Sequence, residues 1–263
     1  MDLGLADKVA CVAAASAGLG FAVARRLAAE GARVALCSRD QSRVQDAAAR
    51  IARETGAQTT AVACDLASPD GPARFVEEAR GALGPVELLV CNAGGPAAGT
   101  FDELDDAAWE RAFQLTLMSA VRLIRAALPD MRDRRFGRIL AITSISAREP
   151  VDGLLLSNAF RAAVTGLVKT LSREVGREGV TVNAIMPGYT ATERLQELAR
   201  GIAAREHIEP TQVYERWAQQ TAVGRIATVE EFAATAAFLL SDKASSVTGA
   251  AVPVDGGWLR SIV

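Results

Sequence analysis

Histidine, tyrosine and lysine are nearly missing from this chain. His207 is its only histidine, Tyr189 and Tyr214 its only tyrosines, and Lys8, Lys169 and Lys243 its only lysines. The four cysteines, Cys11, Cys37, Cys64 and Cys91, include no CxxC pair. With one histidine, that excludes the common zinc donor sets, and no metal site is expected. Each cysteine falls in or at the end of a strand-like apolar run, as a small buried hydrophobe in a reducing compartment does. No basic block accompanies the formal net charge of −2, so neither nucleic acid nor an anionic membrane surface is an expected partner. No apolar run approaches the roughly 20 residues of a membrane span. The opening MDLGLADKVACVAAAS has no basic leader before its apolar run, so no secretory signal is expected and the cytoplasm is the expected compartment. Aromatic residues make up only 5% of the chain. Small aliphatic residues dominate instead, which suits helix-on-sheet packing better than an all-β sandwich.

What is present is a regular alternation. Residues 8–14, 33–38, 59–65, 87–94, 138–144, 180–188 and 250–257 read as strands, and 20–31, 41–56, 69–83, 105–132, 157–176 and 230–241 as helices. Gly31 is expected to close the first helix and Pro69 to open the third. The strand runs are almost continuously apolar, as strands covered on both faces are. The alternation predicts an α/β, doubly wound Rossmann fold. It is expected as a single domain over 1–263, a seven-stranded parallel sheet with helices on both faces and right-handed crossovers. Residues 190–222 are polar and irregularly helical, with Trp217 and His207 as their distinctive side chains, and are expected to form a substrate lid.

The first strand runs into AAASAGLG (13–20), which opens a helix. That order is right for a dinucleotide-binding turn: Gly18 and Gly20 admit a pyrophosphate close to the backbone, and free N–H groups at the helix start bind its charge. The second strand ends in CSRD (37–40), with Ser38 and Arg39 where an NAD-preferring site places a carboxylate. Arg39 suits a 2′-phosphate with paired donors, and Ser16 can add a hydroxyl, so NADP (NADPH) is expected over NAD. The alternative is that Arg39 is a solvated loop residue.

Over nearly its whole length the chain resembles the short-chain dehydrogenase/reductases. CNAGG (91–95), VNAIMPGYTAT (182–192) and GRIATVEEFAATAAFLLSDKASSVTGAAVPVDGG (224–257) carry the resemblance together with the glycine turn, which has Ala13 and Ala14 where Thr and Gly are usual. The resemblance implies cofactor contacts from Ala14, Ser16, Gly18, Leu19, Gly20, Ser38, Arg39, Asp65, Leu66, Asn92, Ala93, Gly94, Arg161, Pro187, Gly188 and Thr192. It also implies assembly as a homotetramer or homodimer through helices 105–132 and 157–176, where Ala162, Ala163 and Gly166 permit close approach.

The family's proton donor is a Tyr followed four residues later by a Lys, assisted by a Ser on strand five and an Asn on the long helix. Here Ser144 keeps the strand-five place, Ser157 and Arg161 replace the Tyr and Lys, and Thr116 replaces the Asn. No Tyr-x-x-x-Lys occurs anywhere in the chain. LLSNAFR (155–161) resembles a branch with Ser-Asn-x-x-Arg at this place, whose members are commonly labelled 3-oxoacyl-carrier-protein reductases. A serine hydroxyl is a far weaker acid than a phenol, and an arginine does not surrender its proton at neutral pH. Water held by Ser144 and Ser157 is the remaining proton source. Glu149, Asp152 and Tyr189 are further polar candidates near the cleft, Tyr189 by turning its hydroxyl inward.

Three functions follow from these residues. The first is an NADP(H)-dependent oxidoreductase acting on a small carbonyl or alcohol substrate or an acyl thioester. The second is a cofactor-binding protein without redox chemistry. The third is halide elimination of the halohydrin dehalogenase kind; those proteins keep the Tyr that this chain lacks, which ranks the idea last.

Overall fold

A computed structural model describes residues 1–262. Strands β1 (Val9–Val12), β2 (Arg33–Ser38), β3 (Thr59–Ala63), β4 (Leu88–Cys91), β5 (Gly137–Ile142), β6 (Val180–Pro187) and β7 (Ala251–Val254) form one sheet in the order β3-β2-β1-β4-β5-β6-β7. Every neighbouring pair is parallel. The central strands β1, β4 and β5 are buried at every residue, which explains their unbroken apolar runs.

Helices α1 (Gly18–Ala29), α2 (Gln41–Thr55) and α9 (Val229–Leu239) cover one face, burying Leu27, Ile51 and Phe232 against the sheet. On the other face lie α3 (Gly71–Leu83), α5 (Ser119–Asp133) and α6 (Leu155–Val175), which bury Phe75, Leu123, Met131 and Val168. A fully buried Leu or Phe contributes roughly 1.5–3 kcal/mol, so these two layers, and not helix propensity, hold the elements in place. All four cysteines are buried in the layers. Burial pushes the thiols of Cys11 and Cys37 far up and that of Cys91 up to about 12, which makes them inert packing groups. No described helix is long and apolar enough to cross a membrane.

Several expected boundaries move. The first helix begins at Gly18, two residues early, and Gly31 takes a left-handed φ of 87° just beyond it. Pro72, behind the N-cap Asp70, occupies the first turn of α3, and Pro69 lies outside the helix. The expected 105–132 helix is three pieces: α4 (Asp106–Ala112), a π-helical turn at Phe113–Met118, and α5. Residues 190–222 hold two helices, α7 (Glu193–Glu206) and α8 (Pro210–Gln219), around their own core of Leu195, Ala199, Val213 and Trp217. His207 ends α7 in the left-handed region, exposed, at φ 55°.

The turn after β1 is tight and strained. Ala14 sits at φ 48°, a region that costs an L-residue roughly 1–2 kcal/mol. Its carbonyl is so close to α1 that a Cβ on Gly20 would stand 2.5 Å from the oxygen. Gly20→Ala is therefore expected to cost about 1–3 kcal/mol of overpacking. Ala14→Gly should stabilise by about 0.5–1 kcal/mol, because relief of the left-handed strain exceeds the extra chain entropy of Gly. Urea unfolding of the two variants checks both signs.

Candidate active site

The strand order reverses between β1 and β4, and a parallel sheet opens a crevice at the carboxyl ends of its strands where this happens. The crevice here is a cleft of about 440 Å³. It is lined by Ala14, Gly18, Leu19, Asn92, Ala93, Gly94, Ser144, Ser157, Arg161, Pro187, Gly188 and Thr192, which joins most of the expected site residues in one place. Ser16, Gly20, Ser38, Arg39, Asp65 and Leu66 do not line it. Ser38 ends β2 with its hydroxyl donated to the Asp40 carbonyl at 3.0 Å, Arg39 is exposed, and Asp65 and Leu66 follow β3 on the same edge of the sheet. Gly20 and Leu66 are buried, and Gly20 serves the close approach of the Ala14 carbonyl. Across the crevice, Asn92 Nδ2 donates to that carbonyl at 3.1 Å.

The start of α1 fits an anionic group. Its N-cap is Ala17, which offers no side-chain bond, and its first turn holds no acid. The free N–H groups of that turn therefore face the cleft beside Gly18 and Leu19. The residues present thus suit the pyrophosphate of a dinucleotide.

The polar set lies between the end of β5 and the first turns of α6. Ser144 caps the short helical turn Ile145–Ala147, its Oγ accepting from Ser146 N at 3.1 Å. The Oγ of Ser157 stands 3.3 Å from the Oγ of Ser146, so the buried Ser146 is its hydroxyl partner, and not Ser144. Asn158 exchanges two hydrogen bonds with the Val151 backbone, at 3.1 and 3.3 Å, and pins the loop between β5 and α6. Arg161 Nη1 donates to the Ile142 carbonyl at 2.6 Å. Burial, then repulsion from Arg194, pushes the Arg161 guanidinium down to about 10.

Thr116 lies apart from the main cleft. It is buried on the π-helical turn, and with Arg161 it lines a separate cavity of about 10 Å³, room for about one water. Thr116 Oγ1 and Arg161 Nε are both buried without a protein partner.

The other candidates turn away. Tyr189 stacks on Trp217 with centroids 4.8 Å apart, and its hydroxyl donates to Gln220 Oε1 at 3.4 Å. Trp258 Nε1 donates to the same oxygen at 3.1 Å. Burial raises the Tyr189 phenol, and it is absent from the cleft lining. Glu149 accepts from the Arg260 backbone at 3.3 Å, Asp152 is exposed, and neither lines the cleft. Ser146 and Arg194 are the residues that motif spacing did not reveal. Ser146 sits near the motif position Ser144, whereas nothing local marks Arg194; Asn158 is the Asn of Ser-Asn-x-x-Arg, and its hold on Val151 is what the motif alone did not reveal.

A parallel doubly wound sheet with an uncapped glycine turn at its switch point defines a dinucleotide-type α/β protein. The model of a family described as enoyl-(acyl carrier protein) reductase matches residues 13–259. Dehydrogenase/reductase SDR family member 4 of Bos taurus is 34% identical over 259 residues, covering 98% of this chain and 89% of its own. L-sorbose reductase from Gluconobacter frateurii, solved with NADPH and L-sorbose, superposes with a TM-score of 0.96 at 34% identity over the full length of both chains. An NADPH-bound short-chain oxidoreductase from Pseudomonas aeruginosa PAO1, described as containing an atypical catalytic center, superposes at 0.89 with 31% identity, covering 98% and 99% of the two chains. The chain belongs to the short-chain dehydrogenase/reductase family of oxidoreductases.

Proposed function

We propose that this protein is an NADP(H)-dependent oxidoreductase that interconverts a carbonyl compound and its alcohol, 3-oxoacyl reductase-like in its motifs, without a tyrosine acid. The observation that carries this reading is the meeting of Ser144, Ser157 and Arg161 in one cleft with the uncapped start of α1. The NADPH-bound relatives support it.

In this reading the backbone of Gly18 and Leu19 holds the pyrophosphate, in the turn formed by Ala14 and Gly20. Ser16, Ser38 and Arg39 take the 2′-phosphate, and Asp65 and Leu66 flank the adenine. Asn92, Ala93 and Gly94 bound the ribose, while Pro187, Gly188 and Thr192 bound the nicotinamide, which when bound supplies or accepts a hydride. Residues 190–222 form the lid.

Ser144 donates a hydrogen bond to the substrate carbonyl oxygen and orients it, keeping its own proton. Ser157 is too weak an acid to give up a proton unaided. It passes one on while receiving another from Ser146 or water, since a hydroxyl donates and accepts at once. Arg161 keeps its charge, stabilises the negative charge that builds on the carbonyl oxygen, and donates to the ribose. Thr116 stands behind it, where the small cavity can seat a water of the relay. Loss of redox function is the competing reading, favoured by the replaced Tyr and Lys; NADPH binding with no turnover of any ketone, acyl thioester or alcohol would establish it.

Ala162, Ala163 and Gly166 are all exposed on α6, which supports assembly as a homotetramer or homodimer through α5 and α6. Light scattering is expected to give a multiple of the 27.6 kDa chain, and a monomer refutes it. Arg39→Ala should weaken NADPH about tenfold or more in a fluorescence titration while leaving NADH within about twofold, the worth of one charged hydrogen bond. The cleft lining holds no histidine, cysteine, tyrosine or lysine. Hence kcat should stay level from about pH 6 to 9, where a tyrosine acid would give a sloping profile.

A further inference from the structure

The cleft contains a cation that the protein itself does not neutralise. Arg161 is 9% exposed, and its only acceptor among the described residues is the Ile142 carbonyl. Its Nε has no partner. The charge that reaches it most strongly is a second cation, Arg194. Arg194 lays its guanidinium over Gly95, with Nη2 2.7 Å from where a Cβ on that glycine would stand. Both arginines line the cleft with Ser144 and Ser157. Two acids, Glu193 and Glu197, share the lip on the exposed face of α7, and Glu193 reaches outward to Arg43 at 3.7 Å.

A buried charge is costly unless something compensates it. A neutral ketone and two ribose hydroxyls would leave the buried Arg161 charge uncompensated, with the exposed Arg194 as a second cation in the same cleft. Arginine forks match the paired oxygens of a carboxylate. The acids at the lip would repel a dianion more than a monoanion, which disfavours a phosphate. The cofactor's own phosphates are the other source of negative charge, and the start of α1 already serves the pyrophosphate.

We propose that Arg161 and Arg194 form a carboxylate-binding subsite, and that the substrate is an oxo acid or hydroxy acid whose carboxylate is held beside the carbonyl at Ser144. This rests on the oxidoreductase reading above. It narrows that reading to substrates charged near the reacting carbon.

The test is calorimetric titration of the full chain, saturated with NADP⁺, with the monoanion malonamate and with its neutral counterpart malonamide. Malonamate is expected to bind at least about tenfold more tightly than malonamide, and Arg194→Met to weaken malonamate by about tenfold or more, as loss of a charged hydrogen bond does. NADPH affinity, read by fluorescence, should change less than about threefold in that variant. Equal binding of malonamate and malonamide overturns the subsite. A variant that loses NADPH affinity but keeps malonamate assigns Arg194 to the cofactor phosphates and also overturns it. Turnover of a panel of oxo acids, beginning with acetoacetate, against their methyl esters separates the two readings. Reduction of esters alone, without malonamate binding, removes the subsite and leaves the oxidoreductase. Malonamate binding with no ketone, acyl thioester or alcohol turned over keeps the subsite and removes the oxidoreductase.

Discussion

The hydrogen bond from Asn92 to the Ala14 carbonyl closes the point where the strand order reverses, and the site is assembled around it. Beyond β1 the chain turns to one face of the sheet, and beyond β4 to the other. The ladder between β1 and β4 brings the two turns together, its last bond running from Ala13 N to the Val90 carbonyl at 3.1 Å. The 3.1 Å bond from Asn92 ties them, and the price is an alanine at φ 48° whose oxygen presses on Gly20. After that alanine the N-cap Ala17 has no side-chain oxygen to offer, which leaves the first turn of α1 open to an anion.

Replacing a phenol and an amine by a hydroxyl and a guanidinium removes a ring from the cleft wall and changes which groups there can move a proton. A phenol can serve as the acid when a neighbouring Lys lowers its pKa toward the working pH, whereas a serine hydroxyl remains far too weak and Arg161 keeps its charge at neutral pH. The local scaffold has adapted to the exchange. Asn158 fastens the loop that follows β5, Ser146 supplies the hydroxyl that Ser157 meets, and the Ile142 carbonyl receives one arm of Arg161. The Ser-Asn-x-x-Arg stretch is thus a working unit, in which one residue faces the cleft, the next holds the loop and the last carries a fixed charge.

The sheet could be read from the sequence because strands buried on both faces must be apolar throughout, and β1, β4 and β5 are. The glycine turn and Ser144 could be read because their geometry follows from strand, turn and helix in immediate succession. Helix ends were less legible. Gly18, a poor helix former, begins α1 because the turn at Ala14 has already set the chain direction. The π-helical turn at Phe113–Met118 carries no glycine or proline to announce it. Arg194 acts against Gly95, and Tyr189 is turned away by Trp217, so both depend on contacts between segments far apart in the chain.

Gln220 closes α8 with one oxygen that accepts from both Tyr189 and Trp258. Tyr189 belongs to the segment after β6, and Trp258 to the segment after β7. A single acceptor shared by two such donors makes the helical pair α7–α8 mechanically continuous with both sheet-edge segments. A displacement of α8 and the loss of these two bonds therefore go together, and what moves that helix is felt in the chain after β6 and in the stretch around Trp258.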